Sequence, residues 1–474
     1  MRSVKWILLT LVLGAASLYS QESPRYPRGA ILDEESYRSL PRKAVLATRA
    51  YEGLPGVFSL KQYAPQPGDQ ADYGTCVAWA AAYGARTISE SVALDRKNRD
   101  QTTRNAFSPA YIYRSIRPDD PAGRQGAQIY WALDMMKDSG AVKMLDIERT
   151  VEFPRLDLSI YSESKKYPIA GYVTLFSREE RGKPALVVRM VKKSLVEGKP
   201  VIIGMNTPDS FIEADDVWRP VEDPDNYYGG HAMCVVGYDD ERAGGAFEVI
   251  NSWGRKWGNG GFMWIPYRSF IDFVMESYEM IEDLAVYSDT VKFAGFARVE
   301  VKSAAGFTPA PLRAVSPGVY RTAAAWPEGT EFRFITGSGE STYLYAFAVS
   351  QAAGGGAEDF FTPVLLFPQA GFSPLLNYSD NEVLIPGNDK TLALDSEPGL
   401  EHLVVLYAKR SLDIRALMRR FEDSRGSLEN RLAKALGKDL LTGKLDYEEE
   451  KAAFTGETDD GKAVAALILA IDHR

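Results

Sequence analysis

With 474 residues the chain is too long for one ordinary core, so two folded domains with extensions are expected. Hydrophobic residues make up 45% of it and charged residues 25%, which excludes wholesale disorder and a membrane bundle. The formal net charge of -9 disfavours nucleic acid as a partner.

The N-terminus has the pattern of a secretory signal peptide over residues 1–20. Arg2 and Lys5 precede an apolar run, Trp6–Leu13, and small residues follow it up to Ser20. The pattern predicts export, either to the periplasm or outside the cell. A retained membrane anchor is the alternative, but this run and every later one are too short to predict a stable membrane span. Residues 21–54 are rich in Pro, Arg and Glu without periodicity and predict an extended N-terminal arm.

Residues 55–285 combine one strong helical signal with several strand signals. The run Cys76–Ile88 is rich in alanine, which predicts a buried helix that begins at Cys76. Three later runs are rich in β-branched residues and predict strands at Val201–Gly204, Ala232–Tyr238 and Phe247–Ile250. An α+β domain is expected, with helices before the sheet.

Residues 286–474 have a different character. Short strand-like runs separated by Gly, Pro, Asn and Asp occur at Val299–Lys302, Tyr343–Val349, Thr391–Leu394 and Leu403–Ala408. They predict a β-rich, sandwich-like domain or a small barrel. Ser411–Glu422 has helical periodicity, whereas Val464–Ile471 fits a strand or a helix.

The chain has two cysteines, Cys76 and Cys234, which could form a disulfide. A reduced Cys76 is the competing interpretation, because a thiolate is stabilised at a helix N-terminus. Cys234 lies in a strand-like run and is typical of a small buried residue. Two of the three histidines, His402 and His473, lie in the C-terminal part, so His231 is the candidate base for Cys76.

Three local motifs accompany Cys76 and His231. Gln70 lies six residues before Cys76, and Gly229 and Gly230 precede His231. The third motif is Asn251-Ser252-Trp253-Gly254-Arg255-Lys256-Trp257-Gly258-Asn259-Gly260-Gly261. With these motifs the chain resembles, from about residue 55 to residue 285, the papain family of cysteine peptidases, and the strongest signal is the third motif, which is similar to the family's asparagine block. The resemblance implies a two-lobed fold with a helical half and a β half, followed here by the β-rich domain.

The resemblance also implies the roles of the site residues. Cys76 is expected to be the nucleophile, His231 the base, and Asn251 the residue that orients the imidazole. The side chain of Gln70 and the backbone N–H of Cys76 would bind the oxyanion. Trp253 would shield the bond between His231 and Asn251 from water.

The nucleophile segment departs from the family pattern Cys-Gly-Ser/Ala-Cys-Trp/Tyr. It is Tyr73-Gly74-Thr75-Cys76-Val77, so a disulfide partner and an aromatic residue are missing. The long inhibitory propeptide of the family is not recognisable, and activation by its removal is not predicted.

Substrate binding is predicted at a glycine-rich stretch before a helical run, Tyr130–Ser139. Gly126, Ala127 and Gln128 resemble the family's substrate wall, with Ala127 in place of a glycine, and together with Trp253 they are the expected substrate contacts. An ordinary surface loop is the alternative. The C-terminal part resembles uncharacterised bacterial β-rich modules, and its partner is unknown.

The sequence therefore predicts a cysteine-type peptidase that hydrolyses peptides or proteins through a thioester on Cys76. No metal and no organic cofactor is implied. Two alternatives stay open, namely a catalytically silent protein that binds peptides or envelope components on the same scaffold, and a thiol-dependent acyl transferase.

Overall fold

The computed structural model describes residues 26–144, 158–177, 179–282, 291–352, 362–379, 381–441, 445–458 and 463–474. The predicted signal peptide, residues 1–20, lies outside them. Within the described ranges, no helix is long and apolar enough to cross a membrane. The expected α+β class is found, with three seven-stranded sheets and helices on them. Residues 283–290, around the predicted domain boundary, lie outside the described ranges, and the boundaries stay a prediction.

The helical half is built on a continuous helical run that begins at Cys76, as predicted. It consists of Cys76–Ala78, a π-helical stretch Trp79–Arg86, and Thr87–Ala93. Further helices are Arg99–Arg104, Pro109–Ile116, Ile129–Ser139 and Leu158–Ser164. The helix Pro109–Ile116 begins where Ser108 accepts a hydrogen bond from the backbone of Tyr111.

The β half is an antiparallel sheet that packs on this helical run. Its strands are, in spatial order, Ile169–Thr174, Val274–Glu282, Val201–Asn206, Gly230–Asp239, Ala246–Ile250 and Phe262–Pro266, with Val57–Ser59 also paired to Gly230–Asp239. The three strands predicted in this region are confirmed. The helices Pro184–Val196, Asp209–Glu213 and Tyr267–Phe273 complete the region. A shared core of buried residues, from Val77 and Ile88 to Val235 and Val249, joins the two halves.

The C-terminal module, residues 291–474, is a sandwich of two sheets. The first sheet contains, in order, Leu312–Ser316, Val319–Thr322, Val464–His473, Gly399–Ala408, Thr342–Ala352 and Val364–Phe367, with Leu375–Leu376 beside Thr342–Ala352. The second contains Asn381–Ile385, Glu331–Ser338, Val291–Ser303, Ala453–Thr458 and Leu445–Tyr447, with Leu392–Ala393 and Gly306–Pro309 at its margins. The run at Val464 is thus a strand.

Two helices, Ile414–Asp423 and Leu428–Leu436, lie on the outer face of the first sheet of the module. Alternation along its strands explains this second apolar layer, because successive side chains point to opposite faces. Leu344 and Ala346 face the core between the sheets, whereas Tyr345 and Phe347 face the helices.

The N-terminal arm, residues 26–54, is less extended than its sequence predicts. It contains a short helix, Glu34–Ser39, and a 3-10 turn, Thr48–Tyr51. Asp33 caps the helix by accepting hydrogen bonds from the backbone of Glu35 and Ser36. The stabilising contacts of the arm are with both folded parts, which a sequence without periodicity does not reveal.

Candidate active site

Cys76 is completely buried at the first residue of the helical run. The turn before it is tight, since a Cβ on Gly74 would lie 3.1 Å from the carbonyl oxygen of Arg124 and from the nitrogen of Gly126. Burial raises the pKa of the Cys76 thiol to about 11, although backbone hydrogen bonding from Ala232 and Gly29 acts against the shift. In this conformation the sulfur is therefore a neutral thiol at neutral pH.

His231 and Asn251 come together because their strands are neighbours in the sheet. His231 follows the first residue of Gly230–Asp239, and Asn251 comes directly after Ala246–Ile250. Nε2 of His231 lies 2.7 Å from Oδ1 of Asn251. The same Oδ1 accepts a hydrogen bond of 2.7 Å from the backbone N–H of Ser252, which fixes the orientation of the amide.

This geometry determines the tautomer of His231. Because Oδ1 of Asn251 is an acceptor, Nε2 carries the proton, and Nδ1 of a neutral ring is left with a lone pair. Nδ1 makes no hydrogen bond with any residue that the structure describes. Burial lowers the pKa of His231 to about 4, and the bond to Asn251 only partly offsets this. The ring is therefore a neutral base above that pH.

Trp253 covers this pair. Its ring is stacked on the imidazole of His231, with ring centroids 4.4 Å apart and an interplanar angle of 28°. Trp257 and Phe211 pack edge-on against Trp253 from the other side. His231, Asn251 and Trp253 are all buried, so the hydrogen bond between His231 and Asn251 lies under this ring.

Gln70 is buried and firmly oriented next to the asparagine block. Its Nε2 donates to the carbonyl oxygen of Tyr73 at 2.7 Å, and its Oε1 accepts from Oγ of Ser252 at 2.6 Å. Its backbone N–H also donates to the carbonyl oxygen of Ser252 at 2.8 Å. Ser252 thus contacts Gln70 and Asn251 at once, a role that the sequence analysis missed although Ser252 lies within the quoted motif.

Cys76 and His231 lie on opposite sides of the contact between the helical run and the sheet. The backbone of Ala232, the residue after His231, is near enough to the Cys76 thiol to act against the rise of its pKa. The sulfur and Nδ1 of His231 are nevertheless not hydrogen-bonded to each other in this conformation. Cys234, the other cysteine, is buried away in the strand, where a Cβ on Gly84 would lie 3.2 Å from its own Cβ. Both thiols are free, so no disulfide joins them.

The predicted substrate wall is in contact with an extended chain, which is the arm of the protein itself. The N–H of Ala127 donates to the carbonyl oxygen of Gly29, and the N–H of Ile31 donates to the carbonyl oxygen of Ala127, both at 2.9 Å. Gly126 has a φ of +75°, and a Cβ there would lie 2.4 Å from the oxygen of Gly29. Gln128 reaches the same chain further along, with Nε2 3.1 Å from Oδ2 of Asp33.

We call residues 26–33 the cleft segment, because they lie between the substrate wall and the histidine strand. The N–H of Ala30 donates to the carbonyl oxygen of Gly230 at 2.9 Å, opposite the bonds to Ala127. The carbonyl oxygen of Pro27 accepts from Nε2 of Gln70 at 3.2 Å, and the ring of Tyr26 lies 5.0 Å from that of Trp253.

Side chains at both ends of the cleft segment are held as well. Arg28 donates to the carbonyl oxygen of Tyr228 at 2.6 Å and forms an ion pair with Asp209. Leu32 fills the space beside Gly204, where a Cβ would lie 2.7 Å from its Cδ2. The N–H of Asp33 donates to Glu276 at 3.0 Å.

Gly29 passes closest to the nucleophile segment. A Cβ on Gly29 would lie 2.1 Å from the carbonyl oxygen of Gly74, so only glycine fits. The sequence did not predict this coverage of the site, because its signal is a glycine in a stretch without a recognisable motif.

Comparisons with known proteins find similarity in the part of the chain that contains this site. Residues 68–280 match the family described as "Papain family cysteine protease", which supports a papain-family cysteine peptidase domain in this part of the chain. An uncharacterized peptidase C1-like protein of Acanthamoeba polyphaga mimivirus is 27% identical over 242 residues, which are 46% of this chain and 71% of that protein. A probable cysteine protease of Arabidopsis thaliana is 21% identical over 205 residues, and the match spans 42% of this chain and 49% of the relative.

Solved structures give weaker similarities. Xylellain, a cysteine protease from Xylella fastidiosa, is 22% identical with a TM-score of 0.44, covering 55% of this chain and 98% of that one. The Amb a 11 cysteine protease of ragweed pollen, in its proform, is 16% identical with a TM-score of 0.39, covering 50% and 70%.

Proposed function

We propose that the chain is a cysteine peptidase that hydrolyses peptide bonds through a thioester on Cys76. The observation that carries the proposal is the bond of 2.7 Å between His231 and Asn251 under the ring of Trp253, beside a cysteine at a helix start. This arrangement leaves Nδ1 of His231 without a hydrogen bond to any described residue and available as the base for Cys76. The family match over residues 68–280 supports the same chemistry.

In the proposed reaction, Nδ1 of His231 takes the proton of the Cys76 thiol, and the sulfur attacks the substrate carbonyl carbon. Nε2 of Gln70 and the N–H of Cys76 donate to the oxygen on which negative charge develops. His231 then gives its proton to the leaving amine, the C–N bond breaks, and a thioester remains. Water, deprotonated by His231, attacks the thioester, and the sulfur leaves with the proton. Asn251 holds the ring in one orientation throughout.

The position of the arm supports a latent enzyme within the same proposal. The cleft segment already uses the backbone groups of Ala127, the carbonyl oxygen of Gly230 and the amide of Gln70. A peptide needs these groups, so it must displace the segment before it can be cut. Displacement would also let water reach Cys76 and His231, and the burial that favours their neutral forms would decrease.

The test is performed on a chain that carries Gly29→Ala, because the added Cβ is sterically incompatible with the closed cleft. We expect this chain to hydrolyse peptides and to be alkylated by an epoxide at Cys76, with both reactions lost in a further Cys76→Ala variant. Cys234→Ala is the matched control and should retain both. Hydrolysis that persists without Cys76, or that is lost equally with Cys234, would refute the proposal.

A further inference from the structure

We propose that the C-terminal module anchors the arm and thereby keeps the cleft segment on the site. After the short helix Glu34–Ser39, the arm continues as residues 41–51, which we call the anchor segment. This segment lies against the module, whereas the cleft segment lies against the site. The inference concerns the closed state and does not depend on the proposed peptidase activity.

Backbone hydrogen bonds at Arg42 connect the two folded parts through the arm. The N–H of Arg42 donates to the carbonyl oxygen of Gly371 at 2.9 Å, and its own carbonyl accepts from the N–H of Ser373 at 2.7 Å. On the other side, the N–H groups of Lys43 and Thr174 bond the carbonyl oxygens of Thr174 and Pro41 at 2.8 and 3.0 Å. The guanidinium of Arg42 also lies 4.3 Å from the ring centroid of Phe372. Arg42 thus forms an isolated β-bridge on each side, with Thr174 of the peptidase part and with Phe372 of the module.

The apolar side chains of the anchor segment belong to the core of the module. Ala44, Leu46, Ala50 and Tyr51 are buried in the same cluster as the residues between its two sheets, such as Val383. The N–H of Ala47 donates to the carbonyl oxygen of Glu382 at 2.7 Å. Met190 of the peptidase helix belongs to the same cluster, but most of its members are residues of the module, so removing the module would expose much of the apolar surface of the anchor segment.

A buried polar cluster ties the same segment to both parts. Lys43 is buried and donates to Glu279 at 2.6 Å and to Asn377. Asn377 and Tyr378 of the module donate to Glu279 at 2.8 and 2.7 Å, and Glu279 belongs to a strand of the peptidase sheet. A buried ion pair with this many fixed partners is sensitive to geometry, so it defines the position at which the arm leaves the module.

Anchoring at residues 41–51 determines how firmly the cleft segment, which ends eight residues earlier in the chain, stays bound on the site. The cleft segment is attached mainly by a few backbone hydrogen bonds, one ion pair and Leu32, contacts that are weak for a free chain end. An anchored segment rebinds intramolecularly, at a high effective concentration and in a fixed register. The module thereby keeps the candidate active site covered, although none of its own residues belongs to that site.

The test measures closure of the cleft directly, in the full chain. Hydrogen exchange is followed at the amides of Ala30, Ile31 and Ala127, whose bonds close the cleft, together with the alkylation of Cys76 by iodoacetamide. Leu46→Ala and Arg49→Ala weaken the anchor without touching the cleft. Arg49 pairs with Glu382, which keeps Arg298 as a partner after the substitution.

The controls are Leu467→Ala, a buried leucine of the module core on the strand Val464–His473, and Lys302→Ala, which breaks a surface ion pair with Glu331. We expect both anchor variants to raise exchange and alkylation on the order of 10-fold relative to their controls, as for typical coupling between separate sites.

Equal rates in the wild type and the folded anchor variants would overturn the proposal, and so would an equal rise in the controls. If Leu46→Ala does not fold, the test depends on Arg49→Ala alone. The side chain of Arg49 is half-exposed, so its truncation should leave the fold intact. Exchange at these amides is independent of catalysis, so a chain without peptidase activity would still give a decisive result.

Discussion

The backbone carbonyl oxygen of Pro27 lies 3.2 Å from Nε2 of Gln70. In the proposed mechanism this amide serves the oxyanion of the substrate, so a carbonyl of the arm occupies a place that the reaction requires. Ser252 and Tyr73 hold the amide in position from the other side. The oxyanion donor is thus already oriented in the closed state, and opening the cleft need not rebuild it.

Gln70→Ala, in the opened Gly29→Ala chain, is expected to lower kcat by about 100-fold to 1000-fold with little change in KM, since an oxyanion donor acts only when charge develops. Gln70→Glu should be slower still, because a carboxylate would face that charge and disfavour the thiolate. Steady-state kinetics on a fluorogenic peptide measures both. Gln66→Ala is the control, since this partly buried glutamine bonds Asp100 and Arg255 and has no proposed catalytic role. Normal turnover per folded molecule in both Gln70 variants would make Gln70 a packing residue.

Gly29→Ala alone is expected to open the site. Overpacking of this kind costs about 1–3 kcal/mol, which corresponds to roughly a 5-fold to 150-fold change in an equilibrium. Alkylation of Cys76 and peptide hydrolysis should rise within this range relative to the wild type. Gly56→Ala is the matched control, because a Cβ there meets only Asp240, at 3.9 Å. Unchanged rates in Gly29→Ala would show that the arm does not limit access.

Closure of the cleft should depend on pH through His231. Its pKa is about 4 when buried, against an ordinary 6.5, so an open state binds the proton more readily, and closure should weaken as pH falls from about 6.5 to 4. Glu276 acts in the opposite direction, because burial raises its pKa to about 7 and closure gains from its protonation below that pH. The other charged groups at this place are Arg28 and Asp33 within the cleft segment and Asp209, which pairs with Arg28.

Glu276→Gln removes the carboxyl group whose protonation favours closure. The weakening of closure by protonation of His231 should then be measurable. Protection of the amides of Ala30 and Ile31 against exchange, corrected for intrinsic rates, should then decrease between pH 6.5 and 4. In the double variant that also carries His231→Gln this decrease should be absent. A decrease that persists in the double variant would assign the pH dependence to another group.

Glu279→Gln is expected to destabilise the fold by about 3–5 kcal/mol, because it leaves the buried Lys43 without its counter-charge. Burial alone would raise the pKa of Glu279, but the charges of Lys43 and Lys199, with hydrogen bonds from Lys43 and Ser194, lower it to about 2. Its stabilising contribution is therefore present above pH 4.5 and lost as pH falls toward 2. Denaturant unfolding of the wild type should show this loss of stability. The double variant Lys43→Met, Glu279→Leu, which lacks the ion pair, should not show it. A mild effect of Glu279→Gln would contradict the expected role of the pair.

Local sequence patterns predicted the helix and the strands on which the site residues lie. The covered conformation of the site depends on contacts between residues far apart in sequence, which these patterns do not show. The alanine-rich run fixed the helix start at Cys76, and β-branched runs placed His231 and Asn251 on neighbouring strands. The contact of Ser252 with Gln70 joins residues far apart in sequence, and no periodicity reveals it. Coverage by Gly29 depends on the fit of one glycine against Gly74, and burial of the Cys76 thiol raises its pKa above the ordinary value instead of lowering it. The sequence analysis expected a Cys76 thiolate stabilised at the helix N-terminus, and under the proposed function this form requires the cleft to open.

The most direct test of the central claim is peptide cleavage by the Gly29→Ala chain in water enriched in oxygen-18, analysed by mass spectrometry. Hydrolysis through a thioester on Cys76 predicts new carboxyl termini that carry the heavy oxygen, and predicts that a further Cys76→Ala substitution abolishes them while Cys234→Ala does not. Absence of cleavage in a chain whose amides at Ala30 and Ile31 exchange freely would contradict the account, as would labelled termini that persist without Cys76.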